Sequence, residues 1–257
     1  MPLVTTDAVV LHAFDYLESS RIIRLATRDA GLQSVIARGA RTSRRRFGMG
    51  LDLFASGSAQ IQWNPGRELQ QLVGFDLATA RGALAADLER FSAASALAEL
   101  VLRFAAGDES GEVFAELTRA LDAVADASPA RARDRGLAAA WRVVASLGFA
   151  PSLDRCSICH APLADDGHVT FTRAAGGAVC PSCAGGVPRG RALPAEAWAA
   201  LRAWIAGRDV AVEDPAMRRA HLRLLREFLE QHLSDGRPLR AFETWERGMG
   251  LPVGGAG

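Results

Sequence analysis

Four cysteines carry the clearest chemistry in the sequence. Cys156 and Cys159 form one C-x2-C pair, and after 20 intervening residues Cys180 and Cys183 form a second. Two residues between cysteines let a tight turn point both sulfurs at one centre, and two such turns complete a tetrahedron of thiolates. The spacing therefore predicts one structural Zn²⁺ per chain, with no open coordination position for catalysis.

Two other interpretations of the cysteines stay open. A redox dithiol or disulfide pair is disfavoured because the cytosol keeps thiols reduced and no thioredoxin-like βαβ pattern flanks either pair. Another metal centre, such as an iron–sulfur cluster, also fits four thiolates. His160 and His168 could replace a cysteine ligand, but four sulfurs already complete a zinc shell, so we interpret both as surface residues.

An arginine-rich segment is the second candidate site. All 30 basic residues are Arg, and the net charge of the 257-residue chain is only +1. Between positions 21 and 46 there are eight Arg and one acid, Asp29. The densest part contains Arg38, Arg41, Arg44, Arg45 and Arg46. Because guanidinium groups bind phosphate in a bidentate way and stack on bases, this segment predicts contact with a nucleic-acid backbone.

Aromatic residues lie close to the arginines in sequence. They are Phe14, Tyr16, Phe47, Phe54 and Trp63. Such side chains either stack on unpaired bases or fill the core beneath the strands, and the sequence favours the core for most of them.

Catalytic motifs are missing from the sequence. It contains neither a G-x-x-x-x-G-K-[ST] nor a G-x-G-x-x-G phosphate loop, and its five His form no cluster. The N-terminus lacks the basic and apolar regions of a signal peptide, and no apolar run approaches the roughly 20 residues that span a bilayer. We therefore expect a non-enzymatic protein of the cytoplasm, without a membrane partner.

The elements that position these residues change type along the chain. Short apolar runs between residues 7 and 76, separated by turn signals, predict five strands, for which an oligonucleotide-binding (OB) barrel is the natural candidate. Apolar spacing of three to four residues then predicts helices. The predicted fold is α+β multidomain: an OB-type barrel at 1–79, a helical domain at 80–250 with a zinc-binding insertion at about 150–190, and a disordered tail at 251–257.

Several segments together resemble a known family. They are Asp15-Tyr16-Leu17-Glu18-Ser19-Ser20-Arg21, Leu25-Ala26-Thr27, Ala37-Arg38-Gly39-Ala40-Arg41, Leu147-Gly148-Phe149-Ala150-Pro151 and Gly236-Arg237-Pro238-Leu239-Arg240. Their order and spacing resemble RecO, the bacterial recombination mediators of the RecF pathway, over nearly the whole chain.

The resemblance implies a fold and a function. RecO proteins have an OB domain and a helical domain, with a four-cysteine zinc module in many members. They bind single- and double-stranded DNA, anneal complementary strands and, with RecR, help load RecA onto DNA coated by single-strand-binding protein (SSB), whose C-terminal tail is a further expected partner. Carried over to this chain, the DNA contacts would include Arg38, Arg41, Arg44, Arg45 and Arg46.

Three alternatives use the same features. An RNA-binding accessory protein would use the same barrel and zinc module. A protein-interaction adaptor would bind an acidic partner tail through the Arg segment. A metal-dependent nuclease is the enzymatic alternative.

Overall fold

A computed structural model describes residues 2–41, 47, 51–107, 110–163, 169–187, 190–233 and 237–248. Arg44, Arg45 and Arg46, together with the tail at 251–257, lie outside the described residues. The chain divides into two compact units, Met1–Asp126 and Ala127–Gly257. The boundary near residue 80 stays a prediction of the sequence.

A closed five-stranded barrel begins the first unit, with the strands in the order β1-β2-β3-β5-β4. The strands are β1 (Leu3–Tyr16), β2 (Ser20–Thr27), β3 (Gly31–Ala37), β4 (Ser56–Gln62) and β5 (Leu69–Thr79). Neighbouring strands are antiparallel except for the parallel pair β3 and β5. The OB-type barrel predicted from the sequence is confirmed.

Alternating apolar residues fill the barrel. Val10, Ile23, Val35, Ile61 and Leu72 are at most 2% exposed and form one cluster. They come from all five strands. In each strand, every second side chain points to the inner face of the barrel. The hydrophobic effect of this cluster closes the sheet on itself and leaves no free edge.

Among the described residues, three helices follow the barrel in the first unit: α1 (Gly82–Ala85), α2 (Leu88–Phe104) and α3 (Glu112–Ala125). The carboxylate of Asp87 caps α2 by accepting a hydrogen bond from the backbone N–H of Arg90 at 2.9 Å. Helix α2 packs against α3 and against strands β1 and β2. Leu97 and Leu117 are buried on these two helices.

Arg81 links the barrel to the helices. Its side chain is 2% exposed, and its Nε lies 2.8 Å from a carboxylate oxygen of Asp122 on α3. Its Nη1 donates to the carbonyl oxygen of Phe54 and to Oγ of Ser56, each at 2.6 Å. A buried charge of this kind is stable only because it is paired and hydrogen-bonded. Nothing in the sequence near position 81 indicated this role.

The second unit combines helices with a small sheet. Its helices are α4 (Ala132–Val144), which continues into a π-helical turn at Ala145–Phe149, the one-turn α5 (Pro181–Ala184), α6 (Ala195–Ile205), α7 (Pro215–His232) and α8 (Arg240–Gly248). Its strands are β6 (Val169–Thr172), β7 (Gly177–Val179) and β8 (Arg191–Leu193), in the order β7-β6-β8. The sequence predicted a helical domain with an inserted segment, but not the one-turn α5, not α8 and not this sheet.

Aromatic contacts join the sheet to the helices. The ring centroid of Phe228 on α7 lies 5.5 Å from that of Trp141 on α4 and 6.1 Å from that of Phe171 on β6. Trp141 and Phe171 are at most 1% exposed. The cysteine-rich segment is therefore packed into the core of its unit. Among the helices of the described residues, none is both long enough and apolar enough to cross a bilayer.

His221 is an unusual member of this core. It is 2% exposed, its ring lies 4.7 Å from that of Trp204, and neither ring nitrogen has a hydrogen-bond partner among the described residues. Burial lowers the pKa of His221 to about 4. Between about pH 4 and pH 6.5, the imidazole of His221 is therefore neutral in the folded unit but protonated in the unfolded chain.

Substituting Arg81→Met is expected to destabilise the chain by about 2–4 kcal/mol, because the buried carbonyl of Phe54 is deprived of its donor while partly exposed Asp122 regains water. Urea unfolding followed by circular dichroism measures the change. Arg67→Met, on an exposed turn of the same barrel, is the matched control and should change stability little. Equal stability of the two variants would contradict this role of Arg81.

Acid sensitivity is expected from His221. The unfolded side chain takes up a proton as pH falls through about 6.5, whereas the folded one does so near pH 4, so stability is full above pH 6.5 and falls towards pH 4 by about 3 kcal/mol. In His221→Leu this part of the loss should disappear in unfolding measurements between pH 7 and 4. His12→Leu, at an exposed position of the barrel, should keep the wild-type acid sensitivity.

Candidate metal centre and nucleic-acid interface

The four cysteine sulfurs converge on one point. All four Sγ atoms lie within 4.8 Å of one another, and those of Cys159 and Cys180 are 3.8 Å apart. A tetrahedron with metal–sulfur bonds of about 2.3 Å has edges of about 3.8 Å, whereas a disulfide bond is about 2.05 Å long. All four thiols are free. The cluster is therefore able to hold a metal ion.

The first cysteine pair lies in a tight turn. The backbone N–H of Cys156 donates to the carbonyl oxygen of Ala161 at 2.8 Å, and its carbonyl oxygen accepts from the N–H of His160 at 2.9 Å. His160 has a φ of 59°, the left-handed conformation that reverses the chain. Its side chain is exposed and stays outside the sulfur cluster, while His168 lies outside the described residues.

The second pair lies at the start of α5. Pro181 takes the first helical position, and the N–H of Cys183 donates to the carbonyl oxygen of Cys180 at 3.0 Å. The N–H of Cys180 also points at Sγ of Cys156, at 3.4 Å. This bond connects the two turns directly.

Strand β7 holds the first turn in place. Its residue Ala178 accepts from the N–H of Ser157 at 2.8 Å and donates to the carbonyl oxygen of Ser152 at 2.8 Å. At Gly177 a Cβ atom would lie 2.3 Å from that same oxygen of Ser152. Only glycine fits at this close approach of two backbones.

Electrostatics favour a cation among the sulfurs. Burial raises the pKa of the Cys156 thiol, but N–H groups of Cys159, Cys180 and Ile158 outweigh it and lower the pKa to about 6. Hydrogen bonding to the Cys180 thiol, together with burial, raises the pKa of Cys183 to about 12. Ionisation of Cys156 is therefore favoured, whereas ionisation of Cys183 is opposed. A bound divalent ion removes this opposition, because coordination deprotonates thiols outright.

Two of the candidate arginines lie at one end of the barrel. Arg38 follows β3 directly, is exposed and has no ion pair among the described residues. Arg41 is bound to the turn between β1 and β2: its N–H donates to the carbonyl oxygen of Ser19 at 3.1 Å, and its Nη1 to that of Glu18 at 3.2 Å. Arg44, Arg45 and Arg46 lie outside the described residues.

The paired arginines near the candidate segment lie at two opposite ends of β2. Arg21 and Arg41 share Asp15, at 3.2 and 3.6 Å. Arg28 pairs with Asp7 at 2.8 Å just beyond the other end of β2. An eight-residue strand spans roughly 25 Å, so Arg28 is remote from the end of the barrel that carries Arg38 and Arg41.

A row of apolar side chains crosses the outside of the barrel at this end. Phe14, Ile22 and Ile36 are register partners on β1, β2 and β3 and therefore share one face. Tyr16 follows Phe14 on the same face, and His12 precedes it, with the rings of His12 and Phe14 5.8 Å apart. Phe14 is 44% exposed and Tyr16 42%. We call these five residues the outer aromatic face.

The other aromatic candidates are in the interior. Phe47 and Phe54 are 2% and 3% exposed, and the ring of Phe54 packs against Phe91 of α2 at 5.9 Å. Trp63 packs partly buried against the barrel core. Burial of Phe47 and Phe54 therefore agrees with the preference of the sequence for core positions and leaves Phe14 and Tyr16 as the exposed rings.

Known proteins are similar to this chain over most of its length. The family model described as "Recombination protein O N terminal" matches residues 1–81, and "Recombination protein O C terminal" matches residues 85–241. "DNA repair protein RecO" of Anaeromyxobacter sp. (strain K) is 39% identical over 252 residues, 94% of this chain and 95% of that protein. The protein of the same name from Anaeromyxobacter dehalogenans (strain 2CP-1) is 40% identical over 244 residues, 91% and 92% of the two chains. The chain belongs to the RecO family.

Membership of the RecO family confirms the resemblance of the sequence segments. The RecO N-terminal model covers the closed barrel with the outer aromatic face, and the C-terminal model covers the four-cysteine cluster. The chain is thus a DNA repair protein of the RecO family with a four-cysteine cluster that could hold a metal ion. DNA recombination and DNA binding fit the RecO family.

Substituting Gly177→Ala is expected to weaken the metal centre, because the new Cβ forces β7 away from the turn that carries Cys156. Overpacking of this kind costs about 1–3 kcal/mol, measured as a lower melting temperature, and metal content by mass spectrometry should fall. Gly185→Ala, at a position where a Cβ meets nothing within 4 Å, is the matched control. Full metal content in Gly177→Ala would contradict the role of this close backbone approach.

Proposed function

We propose that this chain is a non-catalytic DNA repair and recombination mediator. It binds single- and double-stranded DNA, anneals complementary strands and, with RecR, helps load RecA onto SSB-coated DNA. The observation that carries the proposal is the placement of exposed Arg38 and Arg41 beside an open strand face of an OB-type barrel, in a chain of the RecO family.

Phosphate contact is the first step of this function. Arg38 has no acidic partner among the described residues, and Asp15 balances only one of the two charges of Arg21 and Arg41. The next three arginines in sequence, Arg44, Arg45 and Arg46, extend the positive charge. Annealing brings two polyanions together, so a surface that neutralises phosphates lowers their repulsion and releases counterions.

Zinc is the ion that we propose for the cysteine cluster. Four thiolates around one centre are the donor set of structural zinc, and such a shell leaves no position for a substrate. Cys156 lies beside β7, and β6 of the same sheet packs through Phe171 onto α7. The ion would thus hold the two turns of this sheet module in shape. Metal analysis of the wild-type chain, as for Gly177→Ala, should find one zinc; iron in its place would overturn this part.

Partner proteins follow from the proposed role. RecR, the C-terminal tail of SSB and, indirectly, RecA are the proposed partners, and family membership supports them. Because the proposed substrate is SSB-coated DNA, we expect the chain to act in the cytoplasm, at the nucleoid. RNA binding and an adaptor role are the alternatives that the experiment below separates.

Strand annealing tests the function. Fluorescent complementary oligonucleotides, bare and coated with SSB, should anneal without ATP in the presence of wild type. In Arg38→Ala/Arg41→Ala, and in the triple Ala variant of 44–46, annealing should slow. The slope of log affinity against log salt should become shallower by about 0.7 for each phosphate of the single strand that the variant no longer neutralises.

Arg28→Ala provides the control on the same barrel, since its site lies at the far end of β2. Absence of DNA binding and annealing by wild type at low salt would overturn the proposal. Tighter binding of RNA than of DNA would favour an RNA-binding protein. If the triple variant still binds DNA but no longer binds an acidic partner, the adaptor role would be favoured.

A further inference from the structure

The outer aromatic face is apolar although it faces outward. On most one-sided sheets the outer residues are polar, because only the inner face packs on a core. Helix α2 packs against β1 and β2 and covers part of the barrel exterior, and Val9 of β1, which alternates with the interior residues, is completely buried. Beyond Val9 the same strand exposes Phe14 and Tyr16 by 44% and 42%. The apolar row thus continues past the part that α2 covers.

Positive charge accompanies this face. Arg24 is the register partner of His12 and of Ser34, so it lies on the same face one step from the Phe14 row. Its side chain is half-buried and forms no ion pair among the described residues. On the other side of β3 the neighbouring register partners of β5 are Leu69 and Gln71, both uncharged. The described part of this face is therefore apolar, with Arg24 as an unpaired cation. The exposed acids beside it are Asp15, which pairs with Arg21 and Arg41, and Glu18 in the turn between β1 and β2.

We propose that the outer aromatic face is a stacking platform for unpaired bases. Bases of a single strand lie on Phe14 and Tyr16, while Arg24 and Arg38 contact the phosphates between them. This inference rests on the proposed nucleic-acid binding and adds to it which part of the substrate is recognised. A base exposes its π-face only when it is unpaired, so the platform recognises single strands.

Charge complementarity selects this occupant. A single strand of nucleic acid alternates flat bases with anionic phosphates. This surface has aromatic rings beside guanidinium groups, so it can contact both parts of such a strand. The ring separation also fits: Phe14 and Tyr16 are two residues apart on one strand, about 7 Å, close to the spacing of phosphates along an extended chain. Duplex DNA presents only phosphates and groove edges to such a surface.

Single-strand affinity of the full-length chain is the direct test. Fluorescence anisotropy with an oligo(dT) and with a duplex, across salt, compares wild type with Phe14→Ala/Tyr16→Ala. The affinity of the double variant should fall roughly 10- to 100-fold for the single strand and less than about twofold for the duplex. Its salt slope should equal that of wild type, since stacking releases no counterions.

Conservative and distant variants complete the set. Phe14→Tyr/Tyr16→Phe retains both rings and should restore most of the single-strand affinity. Leu3→Ala removes an apolar side chain, 58% exposed, from the same strand and should bind as wild type. An oligonucleotide with abasic positions removes the bases instead of the rings: wild type should bind it more weakly, and the double variant should not distinguish it from the normal strand.

The outcomes separate this inference from the proposed function. If wild type binds and anneals DNA but Phe14→Ala/Tyr16→Ala keeps full single-strand affinity, the platform is wrong and the function stands. An equal decrease for duplex and single strand would also overturn the platform, because stacking affects only unpaired bases. Unchanged binding with a changed molecular mass by light scattering would assign the face to a contact between two copies. No binding by wild type would instead remove the function on which the platform rests.

Discussion

Strand β1 changes its alternation at a bulge between Val10 and His12, where its register with β2 shifts by one residue. Before the bulge Ala8 and Val10 belong to the barrel core; after it Ala13 packs on that core. Strict alternation from Val10 would have placed Phe14 inside. One extra residue reverses the phase of the strand and turns Phe14 outward. The exposed ring, the apolar row across three strands and the proximity of both to the arginine-bearing end of the barrel all depend on this irregularity.

Residues of the connection between β3 and β4 also contribute to the barrel core. Phe47 and Leu51 join the core cluster from the connection between β3 and β4, and Phe54 packs against α2. Arg81 donates to the carbonyl oxygen of Phe54 and so fixes the end of this connection near α3. Buried residues therefore anchor the connection on the C-terminal side of its densest arginines. If the arginines of this connection bind phosphate as proposed, such an anchor reduces the conformational entropy that is lost on binding.

The sequence predicted those features that depend on residues close to one another along the chain. The cysteine spacing predicted convergent sulfurs, since a C-x2-C turn is formed within a few residues, and the turn signals at Asp29-Ala30-Gly31 and Asn64-Pro65-Gly66 predicted the barrel strands. Long-range contacts escaped prediction. Arg81 pairs with a residue 41 positions away, and Gly177 is required only because Ser152 approaches it from another segment. The strands β6, β7 and β8 have three or four residues each, too few for a period of two to stand out from a Gly-rich background.

Phosphate and base contacts have different consequences in the proposed arrangement. Arginine contacts with phosphate persist when a single strand becomes a duplex, because the backbone keeps its charge. Stacking on Phe14 and Tyr16 must end, because each base needs both faces for its own helix. Stacking on an aromatic ring contributes about 1–3 kcal/mol per base, and a DNA base-pair step about 1.4 kcal/mol. The two energies are of the same size. A complementary strand that pairs with many bases can therefore remove the bases from the two rings, while the arginines keep both strands bound during the exchange. A surface with few rings and several cations therefore suits a protein that anneals strands better than one that only stores them.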